Sequence, residues 1–190
     1  MALSAGARLG TGPLGRAAVL AVLILGLETA RIVAGRLPGW AGASLLLGGL
    51  ALCLTAIRHS PEALGLGWER LPERLLGGLA LAVILLLPAA ARWGGGPPLG
   101  PELALAAIAV SAGEEIAFRG VLFNALAESG GPALAVLGST ALWTLVHALA
   151  HPPQFLPVVA GAGLVLGLWR WACRDLVGPV LGHVLADLAL

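Results

Sequence analysis

The sequence has no lysine, no tyrosine, two cysteines, one methionine and few charges of either sign: 11% of its 190 residues are charged, against about 25% in an ordinary soluble domain. Each shortage excludes something. All 11 positive charges are arginines spread singly along the chain, and the formal net charge is +1, which leaves no basic surface for nucleic acid. Cys53 and Cys173 are far apart and lack CxxC or Cys/His ligand spacing. They exclude a disulfide-stapled module and read as small buried hydrophobes. The composition also excludes a disordered tail and a coiled coil.

What fills the chain is apolar: 58% hydrophobic residues, 28 Gly, 13 Pro and a mean hydropathy of +0.94. A soluble globule of this length cannot cover so much apolar surface with polar groups, whereas a lipid-facing exterior needs no cover. The expected fold is all-α: a multi-pass transmembrane helical bundle forming a single domain over residues 1–190. A spanning helix needs about 20 mainly apolar residues. Seven stretches are expected as membrane helices: Arg16 to Gly35, Gly42 to Ile57, Leu71 to Ala91, Pro101 to Ala127, Pro132 to Ala150, Phe155 to Cys173, and Leu176 to Leu190. Between them lie breakers such as Leu37-Pro38-Gly39, Gly94-Gly95-Gly96-Pro97-Pro98, Ser129-Gly130-Gly131-Pro132 and Pro152-Pro153.

The first apolar run reads as an uncleaved signal-anchor helix, because Glu28 and Arg31 follow without a small-x-small cleavage site. Arg8, Arg16, Arg58, Arg70, Arg74, Arg170 and Arg174 fall to one side of the expected bundle, and only Arg36 and Arg92 to the other. The excess predicts a cell-membrane protein with its N-terminus in the cytoplasm. Arg31 and Arg119 remain inside expected spans.

A charge at the middle of a spanning helix costs about 2.5–3.5 kcal/mol on insertion scales, so such residues face the protein interior and carry function. The fourth stretch holds three within six residues: Glu114, Glu115 and Arg119. On an α-helix Glu115 and Arg119 share a face and form an ion pair. Glu114 is rotated away by about 140° and is left unpaired, an environment that turns a carboxylate into a general base or acid. On the fifth helix Trp143, His147 and His151 recur at one-turn spacing. His151, just before Pro152, is expected at the helix C-terminus, where it caps carbonyls; His147 is expected one turn deeper. On the seventh, His183 and Asp187 are spaced so that the carboxylate bonds one ring nitrogen and fixes the tautomer. His59 reads as a solvated loop residue.

A Glu, two His and an Asp on three helices suit two routes to amide cleavage. In one, Glu114 and His147 activate water while His183 and Asp187 bind or polarise the scissile carbonyl. In the other, a divalent metal such as zinc is held by Glu114, His147 and His183; the zincin motif HExxH is absent. A proton or ion pathway uses the same residue types.

EEIAFRG, WTLVH and HVLAD, in this order on separate apolar helices, resemble the three motifs of the CPBP intramembrane proteases, the family of the type II CAAX prenyl proteases and bacterial Abi proteins. The resemblance covers Leu103 to Leu188, the expected protease core, and takes in Gly163-x-x-x-Gly167 of the sixth helix. It implies an endopeptidase in which Glu114 and His147 activate water and His183 and Asp187 stabilise the oxyanion, supported by Glu115 and Arg119. The expected partners are a peptide or protein substrate in the membrane and the lipid bilayer itself. Trp143 stands where the family has Phe, and Asp187 where it prefers Asn. An ionised Asp repels an oxyanion, so Asp187 must be protonated or must act by orienting His183. The rival reading is a non-catalytic immunity or scaffold protein that keeps the fold.

Overall fold

The computed structural model describes residues 12–90 and 99–189, and within them the regular elements are helices. They run α1 (Pro13–Gly35), α2 (Ala41–Leu54), α3 (Leu71–Ala90), α4 (Pro101–Glu114), a π-helical segment (Glu115–Leu122), α5 (Phe123–His147), a 3-10 turn (Pro153–Phe155), α6 (Leu156–Cys173) and α7 (Val177–Leu188). Arg8, Arg92, Leu190 and the Gly94–Pro98 break lie outside the described residues.

The helix boundaries follow from the breakers. Pro13 opens α1 and Pro101 opens α4, where a missing N–H costs nothing. At Gly130 and Gly131 the backbone of α5 leaves helical geometry, and Gly131 takes a φ of +78° that side chains resist. Pro132 then restarts the helix, so the expected fourth and fifth stretches are two helices meeting at a glycine corner.

The bundle pairs α2 with α4, α3 with α7 and α5 with α6, while α1 packs against both α2 and α5. The α2–α4 crossing is close because both sides are glycine. A Cβ at Gly113 would lie 2.3 Å from the carbonyl oxygen of Gly49, and one at Gly49 would lie 2.3 Å from that of Ala109. Small residues bring membrane helices to such distances and so let dispersion forces act between backbones. The crossing carries Glu114, the next residue, to the side of α1 and α2.

Leu, Val and Ile side chains of α1, α2, α3 and α5 project outward, among them Val22, Leu54, Leu76 and Leu137. An exterior this apolar suits hydrocarbon rather than water. By length and hydropathy, two helices among the described residues suffice to cross a membrane: Pro13–Gly35 and Pro153–Cys173. Ala41–Leu54 and Val177–Leu188 are apolar but shorter.

Three expectations are corrected here. Arg170, counted above on the arginine-rich side of the bundle, is buried in the last turn of α6. Its Nε donates to the carbonyl of Arg119 at 3.0 Å and its Nη2 to Asn124 Oδ1 at 3.1 Å. It thereby serves a π-segment carbonyl instead of reading a membrane surface. Cys173 is exposed and Cys53 half-buried, because their apolar neighbours face outward. Finally, Glu115–Leu122 is wound as a π-helix rather than an α-helix, the local unwinding that recurs at functional sites.

Candidate active site

The site is built where the end of α4 and the π segment meet α1, α5 and α7. Its polar groups are engaged from more than one helix. Glu115 Oε1 accepts from Arg119 Nη1 at 3.0 Å, so the expected ion pair survives the change of winding. The same oxygen lies 2.9 Å from His183 Nδ1. Arg119 is fully buried, with its guanidinium carbon 4.2 Å from the centre of the Trp143 ring, a cation–π contact. A Cβ at Gly163 would reach 2.9 Å from that indole and 3.1 Å from Arg119 Nη2. Gly163 of α6 therefore makes room for this stack.

Glu114 is not the unpaired carboxylate expected from the helical wheel. Its Oε1 accepts from Arg31 Nη2 at 3.1 Å and its Oε2 from Trp143 Nε1 at 2.7 Å. Neither donor is on its own helix, which is why spacing along α4 missed them. Arg31 also donates through Nε to Glu28 Oε2 at 3.0 Å and pairs with the same oxygen through Nη2. Glu28 is fully buried, and its Oε1 has no hydrogen-bond partner among the described residues. The signal available in the sequence was the i, i+3 spacing of two charges inside an apolar helix.

His147 is the last residue of α5 rather than one turn inside it. Its Nδ1 lies 2.9 Å from the Trp143 carbonyl oxygen. A carbonyl only accepts, so Nδ1 carries the proton and Nε2 keeps its lone pair. The ring sits 4.4 Å from the Trp143 ring and stacks on His151, which is exposed beyond the helix end. His147, His183 and Arg31 all lie within electrostatic range of Glu114.

His183 meets its expected partner Asp187 and a second, closer carboxylate. The contact to Nδ1 is Glu115, whereas Asp187 Oδ2 stands 3.5 Å from Nε2. Asp187 is also held by Ser111, whose Oγ lies 2.7 Å from its Oδ2 and 2.7 Å from the Ala107 carbonyl oxygen. Ser111 belongs to the sequence run SAGEE, one turn before Glu115, and was not singled out as a site residue.

A metal held by Glu114, His147 and His183 does not fit this arrangement. Among the described residues no three His, Cys, Asp or Glu side chains gather as a ligand set. Both oxygens of Glu114 face donors, and both nitrogens of His183 face carboxylates.

Residues 97–189 match the family described as type II CAAX prenyl endopeptidase Rce1-like. This part of the chain belongs to that family. No curated protein and no solved structure matches. The CAAX endopeptidase match takes in α4, the π segment, α5, α6 and α7, and so Glu114, Glu115, Arg119, His147, His183 and Asp187. It leaves out α1, whose Arg31 reaches the first of these glutamates.

Proposed function

We propose that the chain is a multi-pass intramembrane endopeptidase that cleaves a peptide bond in a membrane-associated protein or peptide. The observation that carries this reading is the placement of His147, whose Nε2 keeps its lone pair, within electrostatic range of Glu114, a buried carboxylate held from two sides. Water placed between them loses its proton to the carboxylate or the imidazole as it attacks the carbonyl carbon. His183, with Nδ1 toward Glu115 and Nε2 toward Asp187, acts as an imidazolium between two carboxylates, donating Nδ1–H to Glu115 and offering Nε2–H to the developing oxyanion. Arg119 fixes Glu115, and Ser111 fixes Asp187 beside His183. Asp187 orients this imidazole instead of touching the oxyanion. Collapse of the tetrahedral intermediate expels the amine, which takes the proton held by Glu114 or His147.

The domain is a single bundle over the whole chain, with the seven apolar helices packed in the cell membrane and the arginine-rich side in the cytoplasm. The short α2 and α7 are covered by neighbours and do not each need a full hydrocarbon thickness. The substrate is the C-terminal segment of a membrane-attached protein; the CAAX prenyl proteins named by the family are one such class.

Cleavage of a panel of membrane-tethered peptides by the purified chain in liposomes tests this reading. Wild type is expected to release product, and His147→Ala to lower kcat by about 10²–10⁴-fold. Undiminished cleavage by His147→Ala would overturn it. Incubation with a strong divalent-metal chelator is expected to leave the wild-type rate unchanged, because the three candidate ligands do not converge. Restoration of a chelator-abolished rate by zinc would show that the donors rearrange around a metal.

A further inference from the structure

Outside the matched residues, α1 places a buried carboxylate and a half-buried arginine beside the first glutamate of the site. Glu28 and Arg31 are one turn apart, and Arg31 spans from Glu28 to Glu114. Its aliphatic stem runs across Gly48 of α2, where a Cβ would lie 2.4 Å from Arg31 Cδ and 2.6 Å from Cγ. The glycine thus leaves a slot for this side chain. The Trp143 indole holds the other oxygen of Glu114. A carboxylate gripped by donors on both oxygens has lost rotation about its terminal torsion, and a base fixed in this way is set for attack geometry.

We propose that Glu28 and Arg31 are positioning residues: Glu28 anchors Arg31, and Arg31 with Trp143 fixes the plane of the Glu114 carboxylate. This extends the active site into the N-terminal half of the chain. The inference rests on the endopeptidase reading for its kinetic consequence, but not for the geometry it asserts. A simple helix-to-helix clamp would change stability and leave turnover of the folded protein alone; a positioning pair changes turnover.

The test uses the full chain in liposomes or detergent with Arg31→Met, Arg31→Lys and Gly48→Ala. Two readouts are taken: kcat and KM on a tethered peptide, and the Trp143 indole N–H resonance, assigned with Trp143→Phe. Arg31→Met is expected to lower kcat by about 10²-fold with KM nearly unchanged and to shift the Trp143 resonance. Arg31→Lys keeps the charge without the planar fork and is expected to recover part of the kcat and return the resonance toward its wild-type position. Gly48→Ala, which removes no site side chain, is expected to reproduce the Arg31→Met loss, and the double variant to be no worse than either single one. An unmoved resonance together with unchanged kcat in folded Arg31→Met overturns the proposal, as does equal loss in the Met and Lys variants. If wild type cleaves nothing while the resonance responds as stated, the endopeptidase reading fails and the positioning of Glu114 stands.

Discussion

Glu114→Gln is expected to lower kcat by about 10²–10⁴-fold, the range for loss of a general base, with KM much less affected. The substitution keeps the size of the side chain but changes its hydrogen bonding. Glu114 accepts on both oxygens, from Arg31 and from Trp143. A glutamine has one acceptor oxygen and an NH2 that only donates, so one of the two partners must face another donor. The variant therefore loses the proton acceptor and one of its two restraints together. Thermal unfolding of the same preparation separates the effects: a folded Gln variant with wild-type kcat would falsify the role of Glu114. Glu115→Gln is a different case, because Glu115 Oε1 sits between Arg119 and His183 and serves the site through them.

Gly113→Ala is expected to be the most damaging single-methyl addition. Its Cβ would meet the main-chain oxygen of Gly49 at 2.3 Å, with the Gly49 Cα at 2.9 Å. Backbone cannot swing aside as a side chain can, so α2 and α4 must separate. Overpacking of this kind costs about 1–3 kcal/mol, occasionally more. The displaced element carries Glu114, so activity is expected to fall further than the loss of folded protein explains. Gly49→Ala is expected to act alike, its Cβ falling 2.3 Å from the Ala109 carbonyl oxygen. The contrast lies at Gly26 of α1 and Gly161 of α6, where a Cβ meets nothing within 4 Å among the described residues. Alanine there is expected to be neutral or to stabilise by about 0.5–1 kcal/mol, the ordinary helix preference over glycine. Midpoints of thermal unfolding for the four variants check this order; equal midpoints at Gly113 and Gly26 would remove the argument for a tight crossing.

The balance of charges explains why the site needs several helices. Glu28, Glu114 and Glu115 are buried, Asp187 is half-buried, and among the described residues two arginines, Arg31 and Arg119, stand among them. Leaving any of these carboxylates without a donor in a membrane interior is costly. Arg31 is shared between Glu28 and Glu114, and Glu115 is shared between Arg119 and His183. Sharing of this kind couples the residues, so effects of paired substitutions are expected to be non-additive.

The sequence by itself determined the helical, membrane-suited class of the chain and singled out the residues proposed to carry its chemistry. Scarce charge and long apolar runs required lipid around the helices, Gly and Pro marked their ends, and the Glu, His and Asp residues of the three motifs stood out because a membrane interior tolerates few such groups. Only the tertiary structure decided who partners whom. Periodicity reports neighbours within one helix, as it did for Glu115 with Arg119, four residues apart. The contact of Arg31 with Glu114 joins residues 83 apart, and that of His183 with Glu115 joins residues 68 apart. Such contacts depend on how closely helices cross and how they are rotated, which here depends on glycines at 48, 49, 113 and 163 that spacing alone does not pair. The unpaired base expected from the wheel of one helix is therefore, in the folded chain, a carboxylate held by α1 and α5.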